Sequence, residues 1–287
     1  MGIALGLGAA LSWGLADYFA ALASRQVGAL RVVLFMHLAA MIPLTVVVLA
    51  TDGLAGVSLS QLGVLFGMGA VGWLSYLAFY GALAIGPISV LSPIISGYAA
   101  VTVLLAVVIS SEQLSGLQAV AVAVTIAGAV CACLDFGAIA QARIEPRSAL
   151  GFVLAFGALA LLGGFVFGVS YYRPHLGWVA PIFLARGFAT VFLVTHVLAA
   201  PGKRRPHPSP KLFGIIALLA CLDTGGYVCF NLGVGYTATA VVAAASAPYA
   251  LVPIVMGVSL FGERPTLPQW LGVGLVIAGV ITLGLAT

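Results

Sequence analysis

Apolar runs of roughly 20 residues, separated by short polar breaks, recur along the whole chain. An α-helix needs about 20 apolar residues to cross the hydrocarbon core of a bilayer. The pattern predicts ten spans: 2–22, 28–50, 60–84, 87–109, 116–134, 148–171, 178–199, 211–235, 238–260 and 266–285. Strands of a membrane barrel would instead alternate apolar and polar residues over about 10 positions, and no such alternation is seen. The expected fold class is therefore an all-α integral membrane protein with ten transmembrane helices. The first run, MGIALGLGAALSWG, has no basic segment before it and is interrupted by Asp17. It reads as a retained helix rather than a cleaved signal.

Composition strengthens this picture. The 287 residues are 63% hydrophobic and 6% charged, with mean hydropathy +1.22. Soluble domains carry about 25% charged residues. The net charge of +4 could suggest nucleic acid, but its placement does not. Arg25, Arg31, Arg143, Arg147, Lys203, Arg204, Arg205, Lys211 and Arg264 all fall in or beside odd-numbered loops, against Arg173 alone in an even one. Cytoplasmic loops hold the Lys and Arg excess. The expectation is a multi-pass inner or plasma membrane protein with both termini extracytoplasmic, facing lipid and not nucleic acid.

The chain also repeats itself. At a constant offset of 151, Tyr98 meets Tyr249, Glu112 meets Glu263, Gln118 meets Gln269, and Ile126-Ala127-Gly128 meets Ile277-Ala278-Gly279. Upstream, Tyr76 meets Tyr227, and Gly14 aligns with Gly164 more weakly. Two units are predicted, 1–135 and 148–287, joined by a loop at 136–147. Each holds five spans. Five is odd, so the second unit enters the membrane in the opposite sense. Inverted repeats of this kind typify secondary transporters, in which two exchangeable halves open a central site alternately to each side.

A ten-span, five-plus-five arrangement closing on GERPTLPQWLGVGLVIAGV resembles the drug/metabolite transporter superfamily, and its EamA-type members most closely. LSWGLADYF in the first span is similar to that family's opening. The resemblance covers essentially the whole chain. It implies a membrane transporter, and relatives that export amino acids, other metabolites or toxic compounds. Many family members are drawn with both termini in the cytoplasm, the reverse of what the charges here indicate.

Ionisable residues at membrane depth are costly and usually functional. Asp17, His37, Arg186 and Asp223 stand out. Arg186 and Asp223 are each expensive alone and are expected to meet, as a fixed ion pair or bridged by a zwitterionic substrate. Asp223, Tyr227 and Asn231 recur at i, i+4 and i+8, giving the eighth span one polar face. The repeat places Gly72, Tyr76 and Tyr80 on the matching face of the third span, with Trp73 beside it. These aromatic residues would either line a shared cavity, stacking a planar or apolar substrate, or pack between helices. Trp13 shares a face with Asp17. Asp17 with His37 could form a proton relay or a static pair.

Pro93, Pro248 and Pro253 interrupt the fourth and ninth spans and mark candidate hinges. Gly2/Gly6, Gly63/Gly67 and Gly164/Gly168 allow close helix approach within a monomer or across a dimer. Cys131, Cys133, Cys221 and Cys229 all fall within spans and read as packing residues, not as a metal or cofactor site. No phosphate-loop, HExxH or GxSxG motif occurs, so no ATP-driven or enzymatic chemistry is expected. The sequence therefore points to a secondary transporter exporting a small metabolite by alternating access. Apolar or aromatic amino acids lead; lipophilic cations or drugs are the alternative, and a channel fits less well.

Overall fold

The structure, a computed structural model, describes residues 1–51, 53–85, 94–95, 97–133, 146–199, 209–252, 255 and 266–286. Helices account for nearly all of this, and no strand occurs among the described residues. They are α1 (Gly2–Val27), α2 (Ala29–Ala50), α3 (Leu59–Ile85), α4 (Tyr98–Ile109) and α5 (Gly116–Cys133), followed by α6 (Pro146–Tyr171), α7 (Ala180–Ala199), α8 (Pro210–Val234), α9 (Thr239–Ser246) and α10 (Leu267–Leu285). A one-turn helix, Arg173–Leu176, links α6 to α7.

Among the described residues, seven helices are long and apolar enough to cross a membrane: α1, α2, α3, α6, α7, α8 and α10. Of the rest, α5 follows its expected span, whereas α4 and α9 are shorter than theirs among the described residues. α4 has 12 residues and begins at Tyr98, and α9 has 8 and gives way to a 3-10 turn at Ala247–Ala250. Pro248 lies in that turn, where its missing N–H ends the α-helical ladder. Pro93 and Pro253 lie outside the described residues.

The helix starts carry the repeat. Ser115 and Gln118 cap α5 reciprocally: the Ser115 N–H donates to Gln118 Oε1 (2.9 Å) and the Gln118 N–H to Ser115 Oγ (3.2 Å). Thr266 and Gln269 form the same capping box on α10. Ser58 and Ser209 likewise cap α3 and α8. Each pair of positions is separated by the repeat offset of 151. The polar identities in register are thus helix-start signals.

Packing repeats in the same way. α1 lies against α8 and α6 against α3; α2 meets α8 and α7 meets α3. α5 and α10 pack on each other through equivalent glycines. A Cβ on Gly128 would stand 2.7 Å from the Val276 nitrogen, and one on Gly279 would stand 2.8 Å from that of Thr125. No side chain fits at either position. Outward-facing Ile42, Leu49, Val108, Val153, Leu198 and Leu285 are all exposed. Such an apolar exterior is stable only in lipid. The chain is a multi-pass membrane protein.

Several buried hydroxyls in the spans are satisfied locally. Ser75, Thr125, Ser170, Thr190 and Ser246 donate to backbone carbonyls three or four residues earlier. Thr102 donates to both Tyr98 O and Gly163 O, tying α4 to α6. Unsatisfied polar groups are expensive in an apolar interior; among the described residues the exceptions include the hydroxyls of Ser24, Tyr98 and Thr224 as well as Arg186.

Candidate functional site

A cavity of about 80 Å³ lies between α1, α3, α4, α6, α8 and the turn after α9. A cavity needs only about 10–15 Å³ on this measure to hold one water. Its rings come from Trp13, Tyr76, Phe79, Tyr98, Tyr227 and Tyr249, and its charges from Asp17 and Asp223.

Two tyrosine pairs related by the repeat meet here. The hydroxyls of Tyr76 and Tyr227 face each other. The rings of Tyr98 and Tyr249 lie 5.6 Å apart. Equivalent residues of two halves touch each other only near the axis that relates the halves. The cavity therefore sits on that axis.

Arg186 and Asp223 form an ion pair, with Arg186 Nη1 donating to Asp223 Oδ2 at 2.5 Å. Arg186 is 1% exposed, and its guanidinium carbon lies 5.2 Å from the centroid of Tyr227. Its Nε and Nη2 have no hydrogen-bond partner. Arg186 does not line the cavity, whereas Asp223 does. Tyr227 also lines the cavity and packs against Arg186.

Trp13 is fixed from three sides. Its indole Nε1 donates to the Asp223 carbonyl (3.2 Å), and its ring packs edge-on against Tyr227 (5.1 Å) and Tyr98 (6.2 Å). Gly226 makes this possible, because any Cβ there would overlap the indole. One turn further along α1, Asp17 is exposed and lines the cavity. Among the described residues the only ion pair is Arg186–Asp223, so Asp17 has no cationic side chain paired with it.

His37 is buried. Its Nδ1 donates to Val33 O (3.0 Å), which leaves Nε2 as the acceptor nitrogen. Its ring stands edge-on to Tyr76 at 4.8 Å. His37 is thus brought to Tyr76, and no ion pair joins it to Asp17.

Besides Arg186 and His37, three more candidates lie off the cavity. Trp73 stacks on Phe192 (5.5 Å) and meets His196 of α7. Tyr80 lines a separate crevice with Ala29, Leu30, Val33 and Leu193, of which Tyr76 is also a wall. Asn231 is buried and its Nδ2 donates to Tyr227 O (3.2 Å), with its Oδ1 unpartnered. The reason is rotation about the helix. At about 100° per residue, Trp73 and Tyr80 fall roughly 40–60° to one side of Tyr76, and Phe79 about 60° to the other. The cavity lies on the Phe79 side.

Phe79, Ile95, Tyr98, Leu162, Val166 and Tyr249 complete the wall and were not among the sequence candidates. Tyr98 and Tyr249 carried a signal, as tyrosines in repeat register. The others are apolar residues in apolar helices and carried none. Among the described residues, no cluster of His, Cys, Asp or Glu could hold a metal ion.

Comparison with known proteins accords with this arrangement. No curated protein matches the chain. A solved crystal structure is similar in fold, with a TM-score of 0.79 at 14% identity over 99% of this chain and 96% of its own. The EamA-like transporter family matches twice, over residues 1–134 and 149–285. With nearly the whole sequence so matched, the chain belongs to the EamA-like transporter family.

Proposed function

We propose that the protein is a secondary transporter that exports small metabolites across the inner or plasma membrane by alternating access. In this reading, ten spans form two inverted five-helix repeats, 1–135 and 148–287, with both termini extracytoplasmic. The cavity on the axis is the central binding site. The observation that supports it best is the meeting of repeat-equivalent tyrosines around that cavity. A site on the axis relating two halves can be exposed to either face by exchanging their conformations.

Amino acids with apolar or aromatic side chains suit the site. Asp17 and Asp223 would receive the ammonium group. Trp13, Tyr76 and Tyr227 would flank the side chain. The substrate carboxylate would displace Asp223 from Arg186, whose Nε and Nη2 stand ready as donors.

A second reading, export of a lipophilic organic cation, is favoured by one specific observation. Two carboxylates face the cavity, and the single arginine is already engaged by one of them. The remaining negative charge among aromatic faces attracts a cation without needing a substrate carboxylate.

Counterflow in proteoliposomes tests both. Labelled phenylalanine and phenethylamine differ only by the carboxylate. Saturable exchange of phenylalanine, lost in Asp223→Asn, supports amino-acid export. Exchange of phenethylamine in preference to phenylalanine supports the cation reading. Non-saturable flux without counterflow would point to a channel and overturn the transporter reading.

A further inference from the structure

The loop between α4 and α5 sends one side chain into the second half of the chain. Glu112 Oε1 accepts from the Thr239 N–H (2.8 Å), and Oε2 accepts from the Ala240 N–H (2.9 Å). These are first-turn donors of α9, with no carbonyl partner inside the helix. The residue before the helix, Ala238, offers no side-chain cap. A carboxylate at this position also complements the positive end of the helix dipole.

Three features distinguish this contact from an ordinary cap. The acceptor and the helix lie 127 residues apart and belong to different halves of the repeat. The contact can therefore break without unwinding either helix. Next, Ser111 holds a φ of 53°, a left-handed conformation that L-residues other than Asn and Asp seldom adopt. The loop keeps this conformation while Glu112 is engaged. Finally, α9 leads directly to the cavity. All eight of its residues are buried, and its sequence TAVVAAAS is built from short side chains. The 3-10 turn that follows places Tyr249 on the cavity wall. α9 therefore fills the bundle between Glu112 at one face and the cavity at its middle.

We propose that Glu112 is a latch on α9. Its carboxylate holds the helix in the arrangement seen here, and its release accompanies opening of the cavity towards the face that carries loop 110–115. Glu112 is a positioning residue, acting on the substrate through α9 and Tyr249. The proposal rests on the alternating-access reading. Glu263, its equivalent in the repeat, lies outside the described residues.

The test uses the full-length chain in proteoliposomes, with Cys131, Cys133, Cys221 and Cys229 replaced and one cysteine introduced as Ser246→Cys. Ser246 is fully buried at the end of α9. A membrane-impermeant maleimide is added from either face, and the ratio of the two labelling rates reports the conformational balance. Glu112→Ala is expected to raise that ratio in favour of the loop 110–115 face by at least about fivefold, the lower end of typical coupling between sites. Glu112→Gln keeps the side-chain length and one accepting oxygen; it should give a smaller shift in the same direction and carries the test if the alanine variant does not fold. Glu112→Asp should restore part of the wild-type ratio. A lower melting temperature with an unchanged ratio would reduce Glu112 to a structural cap and overturn the latch. Failure of alternating access looks different: labelling would occur from one face alone in the wild type and in every variant.

Discussion

Tyr76 of α3 and Tyr227 of α8 are repeat equivalents in the sequence, and their hydroxyls face each other at the wall of the cavity. The contact joins the two halves at the level of the charged residues. His37 packs on the Tyr76 side and Arg186 on the Tyr227 side. A chemically symmetric pair thus lies within an asymmetric environment.

That asymmetry is measurable. Tyr76→Phe and Tyr227→Phe each remove one of the two facing hydroxyls. In a double-mutant cycle on thermal stability, the two changes should couple by about 0.5–1.5 kcal/mol. Fully additive effects would show that the two hydroxyls contribute nothing jointly to holding the halves together.

The ion pair should behave as a unit. Arg186→Met leaves the Asp223 carboxylate in the interior without its cation, a loss that typically costs about 3–5 kcal/mol. Arg186→Met combined with Asp223→Asn removes both charges and should recover most of that stability. Chemical denaturation in detergent would measure it. If the double variant is as unstable as the single one, packing rather than charge governs the site. Exchange activity should stay lost in both.

Asp17 should separate binding from folding. It is exposed, lines the cavity and has no ion-pair partner among the described residues, so Asp17→Asn should leave the melting temperature almost unchanged. It should weaken binding of an ammonium-bearing substrate by about tenfold or more, as expected for a charged hydrogen bond of ~1.5–3 kcal/mol. Equilibrium binding to the purified protein gives the answer. An unchanged affinity would remove Asp17 from the site.

Gly128 and Gly279 should respond alike. Each sits where α5 and α10 touch, and a methyl group at either position meets backbone atoms of the other helix. Gly128→Ala and Gly279→Ala should each destabilise by about 1–3 kcal/mol, the usual range for overpacking. Thermal unfolding of the two variants side by side would check it. A neutral effect at one position and not the other would mean that the two approaches are not equivalent.

Trp73 makes the opposite prediction to the cavity rings. Its partners are Phe192 and His196, outside the cavity. Trp73→Ala should cost about 3–5 kcal/mol of stability, as large aromatic truncations do when well packed. The order of preference among substrates should not change, which a competition series would show. A reordered series would bring Trp73 into the site.

Much of this was legible in the residues themselves. The apolar runs announced membrane helices, because lipid leaves no other way to satisfy the backbone. The cost of lone charges at depth brought Arg186 and Asp223 together before any coordinates did. The shared offset of 151 marked Tyr76 with Tyr227 as equivalents. It also marked Gln118 with Gln269, whose reason proved to be reciprocal helix caps.

What the sequence alone determined about this protein is thus its solvent, most of its long helices, its internal repetition and the residues that are costly at membrane depth. The tertiary structure decided which of them meet. It turned Phe79 rather than Trp73 and Tyr80 towards the cavity, placed His37 against Tyr76 and not in an ion pair with Asp17, and set Glu112 on the first turn of α9. The physical reason is rotational. A helix written almost entirely in apolar residues satisfies lipid and interior equally well, so periodicity cannot fix its angle about its own axis. That angle comes from close contacts, such as Gly226 under Trp13 and Gly128 against α10, which depend on residues far away in the chain.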